Sequence, residues 1–323
     1  MTIAVIGGAG FVGTRLASVL ADAGTPYVIL DKVLKGDQYV DVTDPETFRS
    51  LKNFDAVINL AAEHRDDISP KSLYDLVNVE GAENVCQFCR DRQVSTIIFT
   101  STVAVYGFAP EGTKEDGEIN YFNDYGRTKY FAENVYREWY EEDPRNRNLI
   151  IIRPTVIFGE GNRGNVYGLL NQIASRRFLM FGDGRNRKSM AYIQNVAEFI
   201  NFSTKLTGYH LYNYVDKPDI DMNTLVEIAR KKLYNKKGVG LRLPCRLGVL
   251  FGFASDLIAK LINKKMPISS IRVKKFMATT SFDSSINHLN FLPKFSLQEG
   301  LRRTITYEFL TNHDEKNQIP RKS

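Results

Sequence analysis

Gly7-Gly8-Ala9-Gly10-Phe11-Val12-Gly13 separates an apolar run, Thr2-Ile3-Ala4-Val5-Ile6, from a helical pattern over 11–23, and this stretch decides the fold. It reads as Gly7-x-x-Gly10-x-x-Gly13 or as Gly8-x-Gly10-x-x-Gly13. In either reading the missing side chains let a pyrophosphate approach the backbone at the helix N-terminus, the turn formed by Gly10, Phe11, Val12 and Gly13. Asp31 closes a second apolar run about twenty residues on, where a carboxylate can accept hydrogen bonds from an adenosine ribose and would repel a 2′-phosphate. NAD is therefore the expected cofactor rather than NADP. Asp41 and Val42, after a third short run, are placed beside the adenine.

Working outward, short apolar strands alternate with helical patterns through the first half of the chain. Strands are expected near 2–6, 26–30, 55–60, 95–100 and 148–153, with helices over 11–23, 44–51, 72–92 and 124–142. Such alternation predicts an α/β fold, a Rossmann-like doubly wound parallel sheet built from right-handed crossovers. Asp44 before Pro45 reads as a helix cap with Pro in the first turn. After Arg153-Pro154 the pattern changes to Gly- and Asn-rich turns around a helix near 165–177. Ser189–Ile193 and Tyr209–Tyr214 look like strands returning to the main sheet. The expected organisation is an NAD-binding domain over 1–158 with a return segment at 189–215. A smaller, mainly helical C-terminal substrate domain takes 159–188 and 216–312, and 313–323 form a loose polar tail.

Composition narrows the setting. Three cysteines do not make a disulfide framework, and Cys86 and Cys89 fall inside a predicted helix as packing residues. The opening strand with no basic or apolar leader before it predicts a cytoplasmic protein. The whole chain carries +6, yet between Arg230 and Lys275 thirteen Lys or Arg face the single acid Asp256, a local charge of +12 that leaves −6 for the remainder. Such a segment suits an anionic partner such as phosphates or lipid headgroups. Inside it, Leu247 to Ile262 has an apolar face, a polar side at Ser255, Asp256, Lys260 and Asn263, and basic flanks at Arg242, Arg246, Lys264 and Lys265. That face either lies on a membrane surface or packs on the nucleotide domain and closes the cleft.

The chemistry is carried by Tyr125-Gly126-Arg127-Thr128-Lys129. A Tyr at i and a Lys at i+4 lie one above the other on a helix, so the ammonium can depress the phenol's pKa and make its oxygen a usable base. Thr102, just after a predicted strand, supplies a second hydroxyl, while Ser101 points to the other side of the extended backbone.

These residues resemble the extended short-chain dehydrogenase/reductase family, in its nucleotide-sugar epimerase and dehydratase branch. The likeness runs through the glycine loop, Asn59-Leu60-Ala61-Ala62, Thr100 to Gly107, Tyr125 with Lys129, and Arg153 to Gly159. Further segments, Ala62 to Asp67, Gly161 to Tyr167, Leu211 to Pro218 and Arg272 to Phe276, are similar to the bacterial members that epimerise a diphospho-undecaprenol-linked N-acetylglucosamine. The resemblance implies that Thr102, Tyr125 and Lys129 are catalytic and that Leu60, Ala61 and Ala62 line the cofactor, which Tyr125 and Lys129 also touch. It further implies transient oxidation at C4 of the sugar and return of the hydride with inverted stereochemistry. Thr102, Asn165, Lys188 and Arg272 are the expected substrate-binding residues. The expected substrate is a lipid-linked diphospho-sugar, with a UDP-sugar as the soluble alternative. A 4-keto reductase and a non-catalytic NAD-binding regulator are the other readings. The resemblance also implies peripheral association with an anionic membrane at its inner face and a homodimer through helices 72–92 and 124–142; no nucleic-acid partner is expected, because the basic residues are not interleaved with aromatics as in a known binding module.

Overall fold

Four-residue runs such as Ile3–Ile6 and Ala56–Asn59 are apolar on both faces, and a strand of that kind is stable only when helices cover the sheet on each side. The structure, a computed structural model, describes residues 1–65, 68–246 and 278–311. The amphipathic stretch 247–265, Arg272 and the tail 313–323 lie outside the described residues.

Six strands make one parallel sheet: β1 (Ile3–Ile6), β2 (Tyr27–Leu30), β3 (Ala56–Asn59), β4 (Thr96–Thr100), β5 (Asn148–Pro154) and β6 (Tyr209–Tyr214). Their order is β2-β1-β3-β4-β5-β6. Ile3 pairs with Tyr27 on one side and Ala56 on the other, and Thr100 pairs with Ile152. The strands are joined through α1 (Phe11–Asp22), α2 (Ser72–Asp75), α3 (Gly81–Asp91) and α4 (Asp124–Glu141). Leu16, Val19 and Leu20 of α1 pack on one face with Ile98 and Ile150, while Val85 and Phe88 of α3 and Tyr136 and Trp139 of α4 pack on the other with Ile97 and Ile151. Each fully buried Ile or Leu contributes about 1.5–3 kcal/mol relative to exposure. Because α1 and α3 leave the sheet on opposite faces, the carboxyl ends of β1 and β3 flank a topological switch point, the place where open α/β sheets bind ligands.

The chain forms two compact units. The first is Met1–Ile157, Ala191–Asp216 and Phe282–Phe295, the last of which the sequence pattern left with the second domain. The other, Phe158–Met190, Lys217–Ser281 and Ser296–Ser323, has as its described helices α5 (Asn165–Ala174), α7 (Met222–Tyr234) and α8 (Leu297–Ile305), with α7 packed on both others. Helix α6 (Ile193–Ser203) belongs to the first unit and packs against α1. In the second unit Asp221 caps α7 by accepting from Thr224 N at 2.7 Å, and Glu308 accepts from Gly161 N at 2.7 Å and pairs with Arg163.

Three elements differ from the sequence reading. The helix expected over 44–51 is a single 3-10 turn, Pro45–Phe48, although Asp44 does cap it by accepting from Glu46 N. Thr47 instead bonds back to Asp41 O and Asp44 O, which closes the turn. The strand expected at 189–193 is Met190–Tyr192 and lies in a separate two-stranded sheet, and the Asp216 carboxylate takes Tyr192 N at 2.6 Å just where α6 begins. The long helix 72–92 is interrupted by a π-turn at Leu76–Glu80. Cys86 and Cys89 are buried free thiols whose pKa values burial pushes up, in keeping with a packing role. Among the described residues no helix is long and apolar enough to cross a membrane.

Candidate active site

Helix α1 begins at Gly10 with no side chain capping its first turn, so its leading N–H groups point outward to whatever lies beyond the glycine turn. Gly7 has φ +73°, and a Cβ there would sit 2.6 Å from Ala61 N, so the turn after β1 can lie against the turn after β3 only without a side chain. Asp31 braces this loop: Oδ2 accepts from Ala9 N at 3.0 Å and Oδ1 from Val33 N at 3.2 Å. Leu60 N donates to Ile6 O, and Ala61 N to Asn59 Oδ1. At the end of β4 the buried Thr100 Oγ1 has no hydrogen-bond partner among the described residues. An uncapped helix start, a backbone cradle and a carboxylate at the end of β2 fit NAD. Asp41 and Val42 are used locally: Asp41 Oδ1 accepts from Thr43 N and Thr43 Oγ1, and Val42 is buried in the core.

The catalytic candidates are brought together by the start of α4. Asn123 caps that helix, its side chain accepting from Gly126 N at 2.9 Å. A Cβ on Gly126 would stand 2.5 Å from Ala104 O, so glycine there allows α4 to rest on the turn that follows Thr102. Thr102 Oγ1 accepts from Ala104 N at 3.1 Å, and its hydroxyl stands beside the Tyr125 phenol, where it opposes the rise of that group's pKa. One turn further, Lys129 is 1 % exposed with its ammonium 4.0 Å from the Phe99 ring centroid.

Burial dominates the electrostatics of this pair. It raises Tyr125 to about 12 against the opposing hydrogen bond from Thr102, and lowers Lys129 to about 7 against the opposing charge of Glu133. The sequence reading, in which the ammonium alone lowers the phenol, is therefore incomplete: without ligand, low-dielectric surroundings outweigh the neighbour.

Behind the pair lies a set of residues that motif reading did not assign. Glu133, fully buried one turn beyond Lys129, accepts from Ser101 Oγ at 2.6 Å, from Arg153 Nε at 2.8 Å and Nη2 at 2.6 Å, and from Arg137 Nη2 at 2.7 Å. Arg153 Nη1 continues to Tyr106 OH at 2.7 Å, which donates to Asn213 Oδ1 at 2.8 Å. Asn78, in the π-turn, holds the loop after β3: its Oδ1 accepts from Glu63 N, and its Nδ2 donates to Glu63 O and to Thr128 Oγ1. Polar residues at the spacing of a buried helix face were the available signal, but apart from Arg137 their partners lie 15 to 107 positions apart along the chain.

Of the expected substrate residues, Thr102 is in the first unit with Tyr125 and Lys129. Asn165, exposed at the first turn of α5, and Lys188 belong to the second. Lys188 Nζ donates to Ala278 O at 2.5 Å and Thr280 Oγ1 at 3.2 Å, and burial lowers its pKa. His64 N donates to Glu63 Oε1 in a loop closed by the Glu63–Arg65 ion pair.

A nucleotide-binding α/β sheet with a Tyr-x-x-x-Lys helix start beside a Thr hydroxyl defines an NAD-dependent enzyme of the epimerase and dehydratase class. The chain belongs to the NAD dependent epimerase/dehydratase family, whose pattern matches residues 3–213. It is 48% identical over 327 residues to the N-acetyl-alpha-D-glucosaminyl-diphospho-ditrans,octacis-undecaprenol 4-epimerase of Escherichia coli O157:H7, covering 98% of this chain and 97% of that protein. A UDP-glucose 4-epimerase of Vibrio cholerae is 29% identical over 62% of the chain and 65% of its own length. Among solved structures, the UDP-Glc/GlcNAc 4-epimerase of Campylobacter jejuni superposes with a TM-score of 0.74 at 17% identity, over 95% of this chain and 98% of that one. That last likeness is one of fold.

Proposed function

We propose that the protein is an NAD-dependent 4-epimerase that interconverts N-acetylglucosamine and N-acetylgalactosamine on diphospho-undecaprenol, serving bacterial surface polysaccharide synthesis. The observation that carries the reading is the Thr102 hydroxyl beside the Tyr125 phenol after β4, one helical turn from buried Lys129. Identity of 48% across nearly the whole length of the undecaprenol-linked relative supports the substrate.

Thr102 orients the sugar 4-hydroxyl and shares its proton with the Tyr125 oxygen. Tyr125 accepts the hydroxyl proton as C4 loses hydride, which leaves a 4-keto sugar, and returns the proton when hydride is delivered to the opposite face. NAD, held by Gly7 to Gly13, Asp31 and the Leu60–Ala62 turn, supplies the hydride acceptor and a cationic ring when bound. Lys129 holds its ribose and favours the phenolate. Asn165, Lys188 and Arg272 are proposed diphosphate ligands, Arg272 from outside the described residues. Association with the anionic inner face of the membrane, through the basic segment around 247–265, and a homodimer through α3 and α4 belong to the same reading.

The test is to incubate the purified protein without added reductant, separately with membranes carrying N-acetylglucosaminyl-diphospho-undecaprenol and with UDP-N-acetylglucosamine, and to identify the released sugar. N-acetylgalactosamine from the lipid-linked pool alone is the expected result. Conversion of the nucleotide sugar alone would make the protein a soluble epimerase, and net consumption of NADH would make it a 4-keto reductase.

A further inference from the structure

Lys129 is a buried cation, and among its described surroundings the group that opposes its loss of charge is Glu133. The two are at i and i+4 on α4, neighbours on one helix face. Among the described residues no carboxylate, Glu133 included, is in ion-pair or hydrogen-bond contact with the ammonium: β4 contributes the Phe99 ring at 4.0 Å, and Tyr136, packed on Phe99 at 4.5 Å between centroids, is hydrogen-bonded to Asn59. Tyr125 precedes Lys129 by one turn and is engaged by Thr102.

Glu133 itself cannot turn away. Both of its oxygens are occupied, Oε1 by Ser101 Oγ and Arg153 Nε, and Oε2 by Arg153 Nη2 and Arg137 Nη2. Arg153 is fixed in turn by Tyr106, whose ring its guanidinium also covers at 4.9 Å. The carboxylate is therefore held from three directions, by β5, by the turn after β4 and by its own helix. A buried ion pair replaced by apolar groups is often no less stable, so stability alone does not account for such an arrangement.

We propose that Glu133 is a positioning residue for the reaction: clamped by Arg153, Arg137 and Ser101, its carboxylate keeps the Lys129 ammonium charged, so that the cation is present when Tyr125 becomes phenolate. The role is electrostatic and acts through Lys129; Glu133 touches neither sugar nor cofactor. It rests on the reading of Tyr125 and Lys129 as the catalytic pair. In the ligand-free protein burial lowers Lys129 to about 7, and the charge of Glu133 opposes that fall.

The test reads Lys129 directly, in the full-length protein labelled with 13C at lysine Cε. Its titration is followed by NMR from pH 5.5 to 9.5, and the signal is assigned by its absence in Lys129→Arg. Glu133→Gln is expected to lower the midpoint by about one pH unit or more. The alkaline limb of kcat should move to lower pH by the same amount, costing about tenfold in turnover at pH 7.5, with KM for NAD little changed. If Glu133→Gln does not fold, the charge-balanced double variant Glu133→Gln with Arg153→Met removes both buried ions, and the midpoint is still expected to fall because the carboxylate is the charge that opposes deprotonation of Lys129. An unchanged or raised midpoint in whichever of these variants folds overturns the proposal. A lowered midpoint in a protein that converts neither sugar pool would uphold the Glu133–Lys129 coupling while removing the epimerase reading, so the two failures are distinguishable.

Discussion

Two buried cations in the nucleotide-binding unit meet opposite fates. Arg153 is 2 % exposed and Lys129 1 %, and burial acts against the charge of both. Arg153 nevertheless stays above the ordinary guanidinium range, because two hydrogen bonds and the charge of Glu133, with a further bond to Tyr106, more than offset its desolvation. Lys129 has a ring face beneath it and a carboxylate one turn away, and it falls to about 7. Depth alone therefore does not decide whether a buried charge survives; the number of partners in contact does. The saturated arginine is a fixed brace between β5 and α4, whereas the lysine is poised to respond to what binds beside it.

The sharpest way to break the comparison is Tyr125→Phe, which removes the group that makes the poised lysine useful. Turnover should fall by about 10²–10⁴-fold while NAD is retained, as measured by sugar conversion and by bound nucleotide released on denaturation. Full activity in this variant would remove the catalytic assignment. Arg153→Met attacks the other member. It leaves the Glu133 carboxylate buried with Arg137 and Ser101 alone, and urea unfolding should report a loss of about 3–5 kcal/mol.

Gly126→Ala sharpens the comparison by moving α4 as a body. The added methyl meets Ala104 O, and the overpacking should cost about 1–3 kcal/mol in stability and lower kcat by separating Tyr125 from Thr102. A variant with wild-type kcat would mean that the helix start tolerates displacement. A further effect is expected in pH dependence. The unfolded chain keeps the Lys129 proton up to about 10.5, whereas the folded protein without NAD gives it up at about 7. Folding releases a proton across that window, so stability should rise with pH from 7 to 10.5 relative to Lys129→Met, and the difference should be flat below 7. Urea melts of both proteins at pH 6.5 and 9.5 would show this; parallel curves would mean that Lys129 keeps its proton in the fold.

Much of the nucleotide half was legible in the chain. Short apolar strands and the glycine turn are local features, and β1 to β5 fall within a residue or two of their expected bounds. Ser101 and Thr102 alternate as an extended backbone requires, and Ser101 does face Glu133 while Thr102 faces Tyr125. Less legible were elements whose fate depends on distant partners. The run at 189–193 does form a strand, Met190–Tyr192, but in a separate two-stranded sheet rather than the main one. The run at 44–51 has a helix cap, yet Thr47 closes it after one turn. No local pattern marks the diphosphate ligands: Lys188 and Arg272 are single basic positions, and charge in sequence does not say which surface a side chain shares.

By itself the sequence determined the α/β class, the dinucleotide turn with Asp31 at its expected distance, and the Tyr125–Lys129 spacing, because each depends on hydrophobic period, backbone sterics or helix geometry within one or two elements. Only the tertiary structure decided that Gly126 seats α4 on the Thr102 turn, and that Ser101, Glu133, Arg137 and Arg153 converge behind the lysine. It also decided that burial rather than the neighbouring ammonium sets the ligand-free state of Tyr125. Those outcomes rest on desolvation and on contacts between residues far apart in the chain, and both come into existence only when the sheet and its helices close around them.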